Sequence, residues 1–276
     1  RFRGACDRRT ARPLPRPRAM TAPSPLEAGT VSHNVAHGIA TVTFAHPKGN
    51  SLPGATLREL AATFDALAPR ADVRVIVLRS EGHGPFCAGA SFDELRSIAD
   101  TRQGEAFFSG FAHVILAMRR CPQFVIARIH GKAVGGGVGL AAAADYSIAV
   151  RSASVRLSEL AVGIGPFVVG PVIEHKIGHG HYMAMSVDYD WRDAAWAERT
   201  GLYARVAETP AELDALVSAL AEKLAAANPG AVKEMKRVFW RGTEEWDTLL
   251  YQRAATSGSL ILTEPARAAL AAMAKG

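Results

Sequence analysis

From residue 31 to residue 150 the apolar positions alternate between a two-residue and a three-to-four-residue rhythm. A short run from Val31 and the β-branched stretch Ile39 to Phe44 (IATVTF) flank a His37-Gly38 turn, which predicts an opening hairpin. After His46-Pro47-Lys48-Gly49, the residues Leu57, Leu60, Ala61, Phe64 and Leu67 recur at helical spacing. They predict an amphipathic helix from about Pro53 that Pro69 ends. Val73 to Leu78 (VRVIVL) reads as a short buried strand, and Glu81-Gly82-His83-Gly84-Pro85 as a loop. A longer helix from about Gln103 to Met118 leads to the strand Phe124 to Ile129 (FVIARI). Gly135 to Ala144 reads as a small-residue helix in close contact with its neighbours, followed by the strand Tyr146 to Val150. Strands alternating with helices in this way predict an α/β layer architecture with parallel pairing.

Past residue 170 the texture becomes helical, apart from a short strand at Tyr203 to Val206. Helices are predicted at Trp191 to Arg199, Ala211 to Ala227, Ala231 to Trp240 and near Glu264 to Ala274. Ala-rich helices at the end of an α/β chain suit a region that packs on another surface, including that of another subunit. The chain therefore divides into an extension over 1–30, an α/β core over 31–200 and a mainly helical region over 201–276. No period of about 20 to 50 residues marks a repeat. The longest apolar runs, Ala133 to Ala144 and Leu160 to Ile173, are interrupted by glycine and fall short of the roughly 20 residues a bilayer requires. No membrane span is predicted.

Composition changes the picture in two places. At 49% hydrophobic and 21% charged, the 276 residues are apolar enough to fold around a full core. The net charge of +6 would point to a nucleic-acid or membrane partner, but residues 1 to 20 carry seven arginines against Asp7 and account for all of it. The remainder balances, so neither partner is expected. The leader lacks the apolar stretch of a secretory signal, and its prolines disfavour a transit helix. It reads as an upstream extension or a loose tail. Cys6, Cys87 and Cys121 form no CxxC pair, which fits a reducing, cytoplasmic setting. Cys87 reads as a small buried apolar residue.

Two segments place small residues where a strand hands over to a loop or helix: Gly84-Pro85-Phe86-Cys87-Ala88-Gly89-Ala90, and Gly131-Lys132-Ala133-Val134-Gly135-Gly136-Gly137-Val138-Gly139. With no side chain in the way, backbone N–H groups can touch a ligand, and those in the first turn of a helix are unpaired at its positive end. Such groups can hold an anion or a developing oxyanion, where losing one donor costs about 3 to 4 kcal/mol. Three alternatives stand beside this reading. Both segments fit tight turns with close helix packing. Gly137-Val138-Gly139-Leu140-Ala141-Ala142 also fits the G-x-G-x-x-A turn of dinucleotide folds, although no acid ends the strand Tyr146 to Val150. His175, His179 and His181 allow a metal, but Gly178 and Gly180 favour a helix end, and no metal is expected. A P-loop and a G-x-S-x-G elbow are absent.

Together, Phe86 to Ala90 and Gly131 to Gly137 resemble the two oxyanion segments of the enoyl-CoA hydratase/isomerase (crotonase) superfamily. The likeness runs from about Val35 onward. It includes His46-Pro47-Lys48-Gly49-Asn50-Ser51-Leu52, Ser158-Glu159 with Gly163-Ile164, and Thr200-Gly201-Leu202-Tyr203. The resemblance implies a spiral of ββα units and a C-terminal helical region that builds trimers, often paired into hexamers. It also implies an acyl-CoA thioester substrate, with coenzyme A arriving as part of it and no separate cofactor. Ala88 and Gly136 would donate to the enolate oxygen. Ala90, Ser91, Phe92, Gly135 and Phe167 would contact the substrate, and Lys48 would sit near the CoA phosphates. Of the two glutamates that hydratases of this family use, one aligns with Glu159 and the other with Gly139. Ser91 replaces an aspartate common in the family. A single Glu159 would suffice for a double-bond shift, and hydration would need another group or a water. A decarboxylase, a non-catalytic acyl-CoA-binding member and a nicotinamide-dependent oxidoreductase complete the alternatives.

Overall fold

The computed structural model describes residues 29–273, so the extension predicted over the first thirty residues lies almost wholly outside the described residues. Strand β1 (Thr30–Ala36) pairs antiparallel with β2 (Ile39–Ala45) across the His37-Gly38 turn, where both residues take positive φ. Helix α1 (Gly54–Leu67) then buries Leu57, Leu60, Ala61, Phe64 and Leu67, the stripe read from the sequence. Strand β3 (Val75–Ser80) begins two residues later than expected, because the ladder with β2 starts at Ile39 opposite Val75. Val73 is buried in the preceding turn instead.

A one-turn-and-a-half helix α2 (Phe92–Ser97) precedes the long helix α3 (Thr101–Arg120), which ends before β4 (Phe124–Ile129). Every residue of β4 is buried, as expected of a central parallel strand covered on both faces. The two-residue strand β5 (Ala133–Val134) feeds helix α4 (Gly136–Ala143), and β6 (Tyr146–Val150) follows. After β7 (Ser154–Arg156) comes a 3₁₀ turn at Leu160–Val162, then α5 (Gly170–Ile177) and α6 (His179–Val187), divided by Gly178 at φ 78°. The chain continues through β8 (Arg192–Asp193), α7 (Ala194–Arg199) and β9 (Arg205–Ala207). Four helices close it: α8 (Pro210–Ala225), α9 (Pro229–Phe239), α10 (Trp246–Leu260) and α11 (Glu264–Met273).

The main sheet has the order β1-β2-β3-β4-β6-β9, parallel except at the opening hairpin. A small second sheet, β5-β7-β8, was not anticipated from the sequence and carries the glycine-rich turn on its edge. Helix α8 covers β3, β4 and β6, while α3 packs between α1 and α10. The α3–α10 crossing is close enough that a Cβ on Gly104 would lie 2.7 Å from the Gly258 Cα. Helix α9 is tied to the sheet by a buried polar node. Asp145 accepts from the Val125 N–H at 2.8 Å and the Trp240 Nε1–H at 2.9 Å, and pairs with Lys236 at 2.9 Å. Among the described residues, no helix is long and apolar enough to cross a membrane.

Candidate active site

The His46-to-Leu52 loop is the scaffold of the site. Asn50, at φ 56°, donates its Nδ2 to the carbonyls of Glu81 and Pro85, both at 2.9 Å, and accepts from the His46 N–H at 3.0 Å. These bonds hold the 81–85 loop so that the following segment runs beside two others. On one side Cys87 pairs with β5: its N–H donates to the Lys132 carbonyl, and its carbonyl accepts from Val134. On the other side the Leu52 N–H donates to the Gly89 carbonyl at 2.8 Å, and the Ser91 N–H to the Leu52 carbonyl at 3.1 Å.

This register decides which backbone donors are free. The Ala88 N–H donates to the Gly49 carbonyl at 3.0 Å. Ala88 therefore has no N–H to offer a ligand, contrary to the sequence expectation, although the residue does line the cleft. The Ala90 N–H has no partner among the described residues and faces away from Leu52. Gly136 opens α4, and its N–H is likewise without a partner, as the first amides of a helix must be. Gly89 brings the two together. Its φ is +89°, and a Cβ there would lie 3.0 Å from the Val134 carbonyl oxygen and 3.9 Å from the Gly136 nitrogen. Gly136 must itself be glycine, because the Phe111 ring lies on its Cα and a Cβ would fall 2.1 Å from Cε1.

Glu159 stands over this turn. A Cβ on Gly135, which holds φ +51°, would be 3.0 Å from Glu159 Oε1, so the carboxylate rests directly on the glycine Cα. Glu159 Oε2 is buried without a partner. Burial pushes the carboxyl up to about 7, against a smaller opposite pull from the backbone N–H groups of Glu159 and Ser158. The turn that carries it ends at Gly163, and α11 packs there so tightly that a Cβ on Gly163 would lie 2.7 Å from the Ala266 Cα.

Ala90, Phe92, Gly135, Gly136, Glu159 and Phe167, all expected from the sequence, line one cleft of about 580 Å³, solvent at its mouth included. Two other expected contacts fall elsewhere. Ser91 is buried outside the lining and caps α2 by accepting from the Glu94 N–H. Lys48 is exposed beyond the mouth and paired with Asp93, which its ammonium holds below the usual carboxylate range. Among the lining residues missed by sequence reading, several come from distant elements: Phe108 and Phe111 on α3, Val169 before α5 and Ser257 on α10. The two phenylalanines belong to a legible apolar stripe, whereas Ser257 carries no signal.

The rival readings meet particular obstacles. Gly137 and Gly139 serve packing, since Cβ atoms there would lie 2.7 Å from Cys87 Cβ and 2.6 Å from Val169 Cγ1. The Cys87 thiol, pushed up to about 12 by burial, is packing material too. His175 stacks on Trp240, His179 bonds Glu174 at 2.7 Å, and His181 meets the Trp196 edge, so the three rings do not converge. Among the described residues no cluster of three metal-ligating side chains exists.

A parallel-rich sheet with C-terminal helices, and two glycine-rich turns converging under a buried carboxylate, define an α/β protein with two unpartnered backbone N–H groups beside one cleft. Residues 34–265 match the family model described as enoyl-CoA hydratase/isomerase, and the chain belongs to that enzyme family, within the crotonase superfamily. It is 29% identical over 237 residues to the short-chain-enoyl-CoA hydratase of Clostridium acetobutylicum, covering 85% of this chain and 90% of that one. It is 33% identical to the mitochondrial methylglutaconyl-CoA hydratase of Rattus norvegicus, covering 71% and 63% respectively. Among solved structures, an enoyl-CoA hydratase of Mycobacterium smegmatis matches with a TM-score of 0.74 at 31% identity, over 85% of this chain and 91% of that one. The enoyl-CoA hydratase of Bacillus halodurans shares the fold at a TM-score of 0.81 and 22% identity, over 88% and 99%.

Proposed function

We propose that this enzyme shifts the double bond of an enoyl-CoA thioester, with Glu159 as its single acid–base group. The Ala90 and Gly136 N–H groups would donate to the thioester oxygen and stabilise the negative charge that gathers there, a term of about 3 to 4 kcal/mol per donor. Glu159 would take a proton from the carbon next to the thioester carbonyl, and the electron pair would spread over a dienolate reaching the fourth carbon. The same carboxyl would return the proton there, giving the conjugated 2-enoyl product with no net gain or loss of atoms. A carboxyl near 7 suits both halves of this transfer, being half ionised at neutral pH.

One observation carries the choice of reaction: Glu159 is the only titratable side chain in the cleft lining, and Val169 fills the space beside Gly139. Hydration is the second reading, favoured by the names of the relatives, and it would need an ordered water in place of a second carboxylate. Decarboxylation and acyl-CoA binding without turnover use the same anion site. Lys48, balanced by Asp93, would meet the CoA phosphates only by leaving that partner.

Incubation with 3-hexenoyl-CoA and crotonyl-CoA in D₂O decides among these. Deuterium incorporation and conjugation of the first, both lost in Glu159→Gln, support the shift. Hydration of crotonyl-CoA with no shift of 3-hexenoyl-CoA overturns it. Free, buried thiols at Cys87 and Cys121 fit a reducing cytoplasmic setting. The exposed Leu160, Met183, Val187 and Trp191 fit burial in a homotrimer or hexamer.

A further inference from the structure

Two serine hydroxyls in the cleft lining, those of Ser158 and Ser257, take no part in that chemistry, and Ser257 is the one that lies on the distant helix α10. Ser257 is only 1% exposed, lines the cleft, and its hydroxyl has no hydrogen-bond partner among the described residues. Its neighbours on α10 behave differently: Thr256 and Ser259 each return their hydroxyl to the carbonyl four residues back, at 3.1 Å. With no protein partner and a place in the cleft lining, this hydroxyl is free to donate to, or accept from, whatever occupies the cleft.

The close crossing of α3 and α10 puts Ser257 where it is. Gly258 touches Gly104 backbone to backbone, which draws the preceding serine against the inner face of α3. Seven residues further along α3, about 10 Å at the helical rise, Phe111 lies on the Gly136 Cα at the anion site. The wall between is apolar, built by Phe108, Leu95 and Val162 among others, and Glu159 and Ser158 provide its only other polar side chains. No cation lines the cleft, so a second carboxylate on the substrate would go unpaired.

We propose that Ser257 is a specificity-determining residue that binds a neutral oxygen, hydroxyl or keto, on the acyl chain about 10 Å from the thioester carbonyl. The preferred substrates are then oxygenated acyl-CoA thioesters rather than plain hydrocarbon ones. This rests on the acyl-CoA reading above and specifies its substrate class.

The test uses 3-enoyl-CoA thioesters of roughly six to ten carbons, the reach of about 10 Å at single-bond lengths near 1.5 Å. Each is compared with its counterpart carrying a hydroxyl or keto oxygen, moved one carbon at a time. Wild type is expected to favour the oxygenated member by about tenfold in kcat/KM at one or two adjacent positions, mostly through KM. Ser257→Ala is expected to bring that ratio to about one. Calorimetric binding of the saturated pair to both proteins reads the same preference without turnover. A ratio near one in wild type, or a preference that survives Ser257→Ala, overturns the proposal. If no thioester is turned over, the double-bond shift falls alone, and the binding ratios still decide the role of Ser257.

Discussion

Replacing Glu159 with glutamine keeps the side chain's size and removes the one titratable group in the cleft lining, so chemistry and stability can be read from one variant. Burial raises the carboxyl from 4.5 to about 7, and the folded protein therefore holds this proton more tightly than the unfolded chain. The group contributes most favourably below about pH 4.5, its contribution is lost as pH rises through about 7, and the loss is complete above that. A shift of this size corresponds to about 3 kcal/mol at about 1.4 kcal/mol per unit. Partial solvent access to the residue trims it to about 1 to 2 kcal/mol. Glutamine has no such titration. The stability of Glu159→Gln relative to wild type should therefore rise by about 1 to 2 kcal/mol between about pH 4.5 and pH 8. Urea unfolding across that range measures it, and the slope should be confined to the interval between the two pKa values. In parallel, wild-type turnover should climb through about pH 7, and the variant should lose about 10²- to 10⁴-fold. A stability difference that does not change with pH, or one that changes in wild type's favour as pH rises, refutes the buried carboxylate. Full activity in the variant removes Glu159 from the reaction.

Replacing the Ala90 amide with an ester by α-hydroxy acid incorporation should lower kcat by about 10²- to 10³-fold. The same change at Ala88 should instead act on stability through the lost bond to Gly49, and equal kinetic effects would restore Ala88 as the donor. Gly139→Glu should cost about 1 to 3 kcal/mol by overpacking against Val169. Pairing it with Val169→Gly should recover stability and raise hydration of crotonyl-CoA, read as loss of the conjugated enoyl absorbance; roughly, a second carboxylate is worth 10² or more. Gly258→Ala should destabilise by about 1 to 3 kcal/mol, because the new Cβ meets the Glu105 nitrogen at 2.5 Å. Thermal unfolding as stable as wild type would contradict the backbone contact.

Much of the fold was legible because its elements declare themselves locally. The α1 stripe, the opening hairpin and the wholly apolar β4 each follow from a repeat within one window. Helix α10 was missed because it presents small residues, Ala254, Ser257 and Gly258, to a helix that comes unusually close, and close packing needs no broad apolar stripe. The short β5, β7 and β8 have no period long enough to read. At the site, the sequence pointed to two glycine-rich turns and to Glu159, which the structure brings to one cleft, but not to which amide is free. Whether Ala88 or Ala90 keeps its N–H depends on how residues 87–91 register against Gly49 and Leu52, a pairing between separate parts of the chain. The same holds for Ser91 and Lys48, whose partners Glu94 and Asp93 belong to the following helix.

The Gly104–Gly258 crossing also sets an order of events during synthesis. Phe108 and Phe111 leave the ribosome with their helix, yet the helix that covers them follows about 150 residues later, roughly 8 to 30 seconds at 5 to 20 residues per second. Until then the cleft stands open on the side that α10 will close. The cleft therefore closes only after every strand of the main sheet has been made, and a chain interrupted between residues 207 and 246 would carry a complete sheet and an open cleft.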